Sequence, residues 1–275
     1  MTKSSDETSK GLTERSLIEN QKCPLCNGTG WVFVDYNTVK ECECGLIEKR
    51  RNRNMLRFAN MPEAYKDVCL KDFTTKYYSN SQVENVKGVA QIVKYWLDNV
   101  DEMTEQGKGL YFWSQTKGSG KTMLATAIAN ELVRTKSEFV RFATSIDILD
   151  EIRATYNDSG ESESKMLDEL ATVKYLVIDD FGTERKSDWA GERFYQIVNR
   201  RYINKKVTIY TSNYDLMTIK YDDRITNRIR ERSFIVHFPE ESVREFKARQ
   251  ENDFKNFKER KQNWEELEKE VFTGE

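Results

Sequence analysis

From about Asp72 onward, short apolar runs alternate with longer amphipathic stretches. Residues 110–113, 139–142, 175–178, 207–210 and 234–236 have the length and the β-branched or aromatic content of buried strands. Between them apolar residues recur every three or four positions, the helical period. Leu124, Ala127, Ile128 and Leu132 share one face, and Ile148, Leu149 and Ile152 share another behind a Thr144-x-x-Asp147 capping signal. Trp189, Phe194, Ile197 and Val198 form a third, looser stripe behind Ser187. The polar stretch 157–165 reads as a loop. This alternation predicts an α/β fold, a parallel sheet flanked by helices, over residues 70–240.

The flanks differ. Residues 1–20 are polar and read as disordered. A Cys/Gly-rich module occupies 21–60 and closes with a basic run at 49–57. Residues 241–275 are highly charged, yet Val243, Gln250, Phe257, Trp264 and Val271 fall seven apart. That spacing predicts a charged amphipathic C-terminal helix with an imperfect heptad, interrupted at Gln250, Asp253 and Arg260. Such a helix either packs on its own domain or binds a partner.

Composition narrows the setting. The 275 residues are 33% charged and 38% apolar, with a formal net charge of −2. No run is long and apolar enough to cross a bilayer, and the first residues lack a signal-peptide core, so a cytoplasmic protein away from membranes is expected. With no overall positive field, nucleic-acid contact has to come from local patches; Lys205, Lys206 and Tyr156 are candidates.

The sequence Gln115-Thr116-Lys117-Gly118-Ser119-Gly120-Lys121-Thr122 lies between a predicted strand and a predicted helix, the context a phosphate-binding loop needs. Small residues let successive backbone N–H groups turn onto phosphate oxygens, where a helix N-terminus adds positive potential. Lys117, Gly118, Ser119, Gly120, Lys121 and Thr122 therefore form the expected ATP cradle. Lys121 would hold the β- and γ-phosphates, and the Thr122 hydroxyl would ligate Mg²⁺. The usual pattern opens with Gly, where this chain has Gln115. Downstream, the run 175–178 ends in Asp179-Asp180. At the C-terminal end of a parallel strand, Asp179 can hold Mg²⁺ through its water shell and Asp180 can act as base toward the attacking water. Many such ATPases carry Glu at the second position; Asp180 is one methylene shorter, which leaves slow hydrolysis open. Asn213, after the strand at 207–210, is placed either to orient water at the γ-phosphate or simply to leave the strand in a turn.

Together these motifs and the run Arg224-Ile225-Thr226-Asn227-Arg228-Ile229-Arg230 resemble the DnaC/DnaI family of replicative-helicase loaders, over about residues 72–244. The resemblance implies an AAA+ ATPase core that assembles on itself, engages a hexameric replicative helicase and contacts single-stranded DNA. It also implies roles by position. Asn213 matches the first sensor, Arg228 the arginine finger that reaches a neighbouring subunit's nucleotide, with Arg224 as fallback, and Arg244 the second sensor. With Lys121 and Asp180 these make up the expected catalytic set.

Cys23-x-x-Cys26 and Cys42-x-Cys44 are two close thiol pairs. In a chain expected in the cytosol, such pairs point to a closed, structural Cys₄ zinc site rather than to disulfides, with redox chemistry or unrelated thiols as the other readings. Residues 31–34 read as a hairpin strand returning toward Cys42, and Cys69 reads as a separate buried thiol. N-terminal zinc modules of DnaI-like loaders bind the helicase, so the resemblance implies a docking role for this one.

The leading expectation is an enzyme that couples ATP hydrolysis to loading a helicase during replication initiation. A transposition-helper ATPase of the same superfamily shares the core motifs. A nucleotide-switched adaptor with little hydrolysis is the reading from another class.

Overall fold

Trp31 lies opposite Glu41 in a short antiparallel hairpin formed by β1 (Trp31–Phe33) and β2 (Val39–Glu41), as the apolar run after Cys26 suggests. The computed structural model describes residues 23–34, 38–47, 60–157, 161–185 and 187–252. The chain divides into two compact units, Met1–Asn54, which holds this hairpin, and Met55–Glu275.

In the second unit, each of the five apolar runs is a strand of one sheet. They are β3 (Gly109–Trp113), β4 (Val140–Thr144), β5 (Tyr175–Asp179), β6 (Val207–Ser212) and β7 (Ser233–His237). The order is β4-β5-β6-β3-β7 and every pairing is parallel. Helices α1 (Val83–Asp98) and α2 (Val100–Gln106) precede β3, the connections between strands carry α3 (Lys121–Lys136), α4 (Ser145–Ala154), α5 (Glu161–Thr172), α6 (Asp188–Ile203) and α7 (Asp223–Glu231), and α8 (Val243–Asn252) follows β7. No described helix is long and apolar enough to cross a membrane.

Alternation along β3 divides the core. Leu110 and Phe112 face Val93, Trp96, Leu124 and Ile128 on one side. Tyr111 faces the opposite layer with Ile148, Phe194, Ile197 and Ile229. Covering both faces is what a parallel sheet requires. Trp96 is fully buried and its indole N–H donates to Lys108 O at 2.8 Å, pinning α1 beside the start of β3. Truncating it to Ala would cost about 3–5 kcal/mol.

The Thr144-x-x-Asp147 box forms as expected: Thr144 Oγ1 accepts the Asp147 N–H at 3.0 Å, and Asp147 Oδ2 accepts the Thr144 N–H at 3.4 Å. The expected loop at 157–165 is corrected, because α5 starts at Glu161. Its first turn is polar, but Leu167 and Leu170 bury on the sheet, and Glu163 pairs with Arg193 of α6 at 2.9 Å. Tertiary burial further along sets the helix, and Glu is favourable in a first turn. At the other end, Phe246 of α8 meets Tyr77 edge-on at 6.1 Å, so the described turns of this helix pack on their own domain. Residues 1–20, the basic run 49–57 and the heptad positions Phe257, Trp264 and Val271 lie outside the described residues.

Candidate active site

The loop between β3 and α3 is shaped by two glycines in the left-handed region. Gly118 has φ +79° and Gly120 has φ +96°. Space requires them as well: a Cβ on Gly118 would lie 2.8 Å from Ser242 Oγ, and one on Gly120 would lie 2.9 Å from the Tyr78 hydroxyl. The backbone therefore turns at the N-terminus of α3, where unsatisfied N–H groups and the helix dipole favour an anion. Loop residues 117–122 line a cleft of about 970 Å³ together with Asp180, Asn213 and Arg244. That size suits a small-molecule site.

Lys121 is buried and its ammonium donates to Ser114 O (3.2 Å), Thr116 O (3.0 Å) and Ser119 Oγ (3.3 Å). Burial lowers its pKa, against the pull of Asp180, Glu240 and Asp179. At the end of β5, Asp179 Oδ1 accepts the Thr122 hydroxyl at 2.9 Å and the Thr211 hydroxyl at 2.5 Å. Thr211 Oγ1 in turn accepts the Asp180 N–H at 2.9 Å. Burial pushes the Asp179 carboxyl up, and the adjacent Asp180 adds to this, while the Thr211 and Thr122 bonds oppose it. A buried carboxylate beside a threonine hydroxyl is a hard-oxygen donor set whose charge a divalent cation would relieve, so these residues fit Mg²⁺. Asp180 itself has φ +53°, a conformation uncommon outside glycine and frequent at functional sites.

Arg244 is the second residue of α8 and its N–H donates to Gly118 O at 3.4 Å, which ties this helix to the phosphate loop. Arg228 is elsewhere. It is half-buried on α7, with its guanidinium 5.2 Å from the Tyr195 ring and 5.7 Å from the Tyr202 ring, and it does not line the cleft of its own chain.

In the N-terminal unit the four expected cysteines converge. The Sγ atoms of Cys23 and Cys42 lie 3.8 Å apart, those of Cys26 and Cys44 lie 3.7 Å apart, and all four fall within 4.8 Å of one another. Metal–sulfur bonds of about 2.3 Å in a tetrahedron set edges of about 3.8 Å, so the cluster is compatible with zinc. A backbone turn wraps each pair: Asn27 N–H donates to Cys23 O at 2.7 Å, and Gly45 N–H to Cys42 O at 3.2 Å. Cys69 is only half-buried and donates to Asp72 Oδ2 at 3.1 Å, so the reading of a simply buried thiol is corrected.

With this geometry in view, residues 27–250 match the family described as IstB-like ATP binding protein. The chain belongs to that family. The replicative helicase loader DnaC of Escherichia coli (strain K12) is 35% identical over 122 residues, which cover 44% of this chain and 49% of that protein. The chain thus spans about half the length of the DnaC relatives it matches. The phage-like element PBSX protein XkdC of Bacillus subtilis (strain 168) is 26% identical over 216 residues, covering 76% of this chain and 78% of its own. Among solved structures, that of the DnaC helicase loader superposes with a TM-score of 0.55 at 25% identity, covering 65% of this chain and all of the other.

Two features of this IstB-like site, and the partners of Tyr156 outside its cleft, were not visible in the motifs. Glu240, just past β7, accepts the N–H groups of Gln115 (3.0 Å) and Thr116 (2.8 Å) and pairs with His237 at 2.9 Å. Burial opposes its ionisation, but the bonds from His237 and the loop outweigh that and hold its pKa down to about 2. Tyr78 donates its hydroxyl to Ser119 O at 2.8 Å, bracing the loop at a second point. Trp189 is more than a core residue: its indole N–H donates to the half-exposed Tyr156 hydroxyl at 2.5 Å, and the Arg153 guanidinium lies 4.6 Å from its ring. The only sequence signal for this patch is the aromatic–arginine composition of 153–156 and 189–193.

Proposed function

We propose that this protein binds and hydrolyses ATP with Mg²⁺ and uses the cycle to place a hexameric replicative helicase on single-stranded DNA during replication initiation. The observation that carries this reading is the convergence of Lys121, Thr122 and Asp180 on one cleft, with Asp179 hydrogen-bonded to Thr122. The loop N–H groups and Lys121 hold the β- and γ-phosphates. Thr122 and Asp179 hold the Mg²⁺, which neutralises charge on the phosphate oxygens. Asp180 accepts a proton from the attacking water, and Asn213 orients that water. Arg244 reaches the γ-phosphate within the chain. Arg228, turned away from its own cleft, completes that of an adjoining copy, so hydrolysis depends on self-association.

The loader part of the reading is supported by the similarity to DnaC. The Tyr156–Trp189 patch with Arg153 supports contact with single-stranded DNA, since unpaired bases stack on aromatic rings and arginine planes. The Cys23–Cys26–Cys42–Cys44 cluster holds a structural Zn²⁺, and its module docks the helicase. All of this takes place in the cytoplasm.

One observation favours a second reading, the nucleotide-switched adaptor. Asp180 is short for a catalytic base, and its left-handed backbone fixes where the carboxylate can reach. Steady-state ATP turnover with and without single-stranded DNA separates the two. The loader reading expects turnover that responds to DNA and disappears in Lys121→Ala, whereas the adaptor reading expects tight nucleotide binding with negligible turnover in both conditions.

A further inference from the structure

Glu184 is 7% exposed, has no cation partner among the described residues, and takes no part in the chemistry above. Leaving a carboxylate buried costs stability unless its oxygens are satisfied, and here both are. Oε2 accepts the Gly182 N–H at 3.1 Å and Oε1 accepts the Tyr221 hydroxyl. The Tyr221 ring also stacks on Phe181, with centroids 4.8 Å apart and planes at 19°.

These contacts join two parts of the site that the chain keeps apart. On one side is the loop that starts at Asp180. Phe181 N–H donates to Thr211 O and Phe181 O accepts the Ser212 hydroxyl, both at 2.7 Å, so the loop is anchored on β6. Gly182 fits tightly, with φ +91° and a hypothetical Cβ only 2.6 Å from Ile219. On the other side is α7. Tyr221 precedes Asp222, the N-cap of that helix, whose carboxylate accepts the Arg224 N–H at 2.8 Å and pairs with its guanidinium at 2.9 Å. Arg224, Arg228 and Arg232 follow at four-residue spacing, each lying over Tyr195 or Tyr202 of α6. Gly182 of the Asp180 loop is thus connected, through one buried carboxylate and one phenol, to the start of the arginine helix.

We infer that Glu184 and Tyr221 are positioning residues that couple the Asp180 loop to α7, so that the nucleotide in a subunit's own cleft sets how that subunit presents Arg228 to its neighbour. The inference rests on the reading of Arg228 as a finger acting on an adjoining copy. Burial and the Glu184 carboxylate both raise the Tyr221 pKa, which keeps the hydroxyl a donor throughout the working pH range. A link of this kind makes hydrolysis sequential around an assembly, because each site is completed by a neighbour that senses its own nucleotide.

The test uses full-length Tyr221→Phe, which keeps the stacking on Phe181 and loses only the hydroxyl, with Glu184→Gln as a second variant. ATP affinity should equal that of the unmodified protein, which also reports an intact fold, while the assembled hydrolysis rate falls about tenfold, the scale of one lost buried hydrogen bond to a charged group. Mixing then locates the defect. A Tyr221→Phe subunit has a sound cleft and a poorly presented finger, so adding Asp180→Asn protein, whose finger is sound, should restore activity. Adding Arg228→Ala protein should not. The reverse pattern, rescue by Arg228→Ala and none by Asp180→Asn, would place the damage in the subunit's own cleft and overturn the coupling, as would a wild-type rate in both variants. The control mixture of Asp180→Asn with Arg228→Ala should itself recover activity; if it does not, the finger reading fails and takes the coupling with it.

Discussion

Thr122 Oγ1 donates a hydrogen bond to Asp179 Oδ1 at 2.9 Å, joining the first turn of α3 to the end of β5. With Thr211 as a second donor, the carboxylate is held in place before any ligand arrives. Its pKa lies above the ordinary 3.8, first because of burial. The folded chain thus holds this proton more tightly than the unfolded one, so stability falls as pH rises through the window above about 4. Asp179→Asn should raise the melting temperature of metal-free protein at pH 7, and the gain should shrink as pH is lowered toward 4. Mg²⁺-ATP should raise the melting temperature of the unmodified protein and leave that of the variant unchanged. A gain independent of pH in thermal scans would contradict the burial account.

Glu240 runs the other way. Its pKa is depressed from 4.5 to about 2, so its contribution to stability is present above about 4.5 and is lost as pH falls toward 2. The side chain is 35% exposed, and after allowing for solvent screening Glu240→Gln should cost about 1 kcal/mol at pH 7. It should also weaken ATP binding, since the Gln115 and Thr116 N–H groups lose their charged acceptor. Denaturant titrations of both proteins at pH 7 and pH 3 check the sign: the difference should narrow at pH 3.

The convergence of four cysteine sulfurs within 4.8 Å of one another predicts one zinc per chain by elemental analysis. Chelation, or Cys42→Ser, should unfold residues 23–47 and leave the sheet domain's melting transition unchanged, because a small metal module folds largely through its ion. Metal-free protein with an intact β1–β2 hairpin by NMR would refute the zinc site.

The sheet was legible in the sequence because each strand is an apolar run bounded by polar turns, and the phosphate loop because its chemistry needs contiguous residues. The helix α5 was hidden by a polar first turn of Glu and Ser, and Glu163 finds its partner Arg193 on α6 rather than among its neighbours in sequence. The bracing of the loop was hidden for a similar reason. Tyr78 is 41 residues from Ser119, and Glu240 is 125 from Gln115, so no local pattern links them. The family resemblance singles out Arg228, and only the fold places it away from its own cleft, near two tyrosines of α6.

In the proposed function, ATP bound at the Lys121 cleft is used to put a helicase on DNA. The most direct measurement counts hexameric replicative helicase retained on circular single-stranded DNA after incubation with this protein and ATP. The account predicts that retention requires both the protein and ATP and is lost with Lys121→Ala, whose ammonium is the cation buried in the phosphate loop. Retention that is the same without the protein, or unchanged by Lys121→Ala, would contradict it.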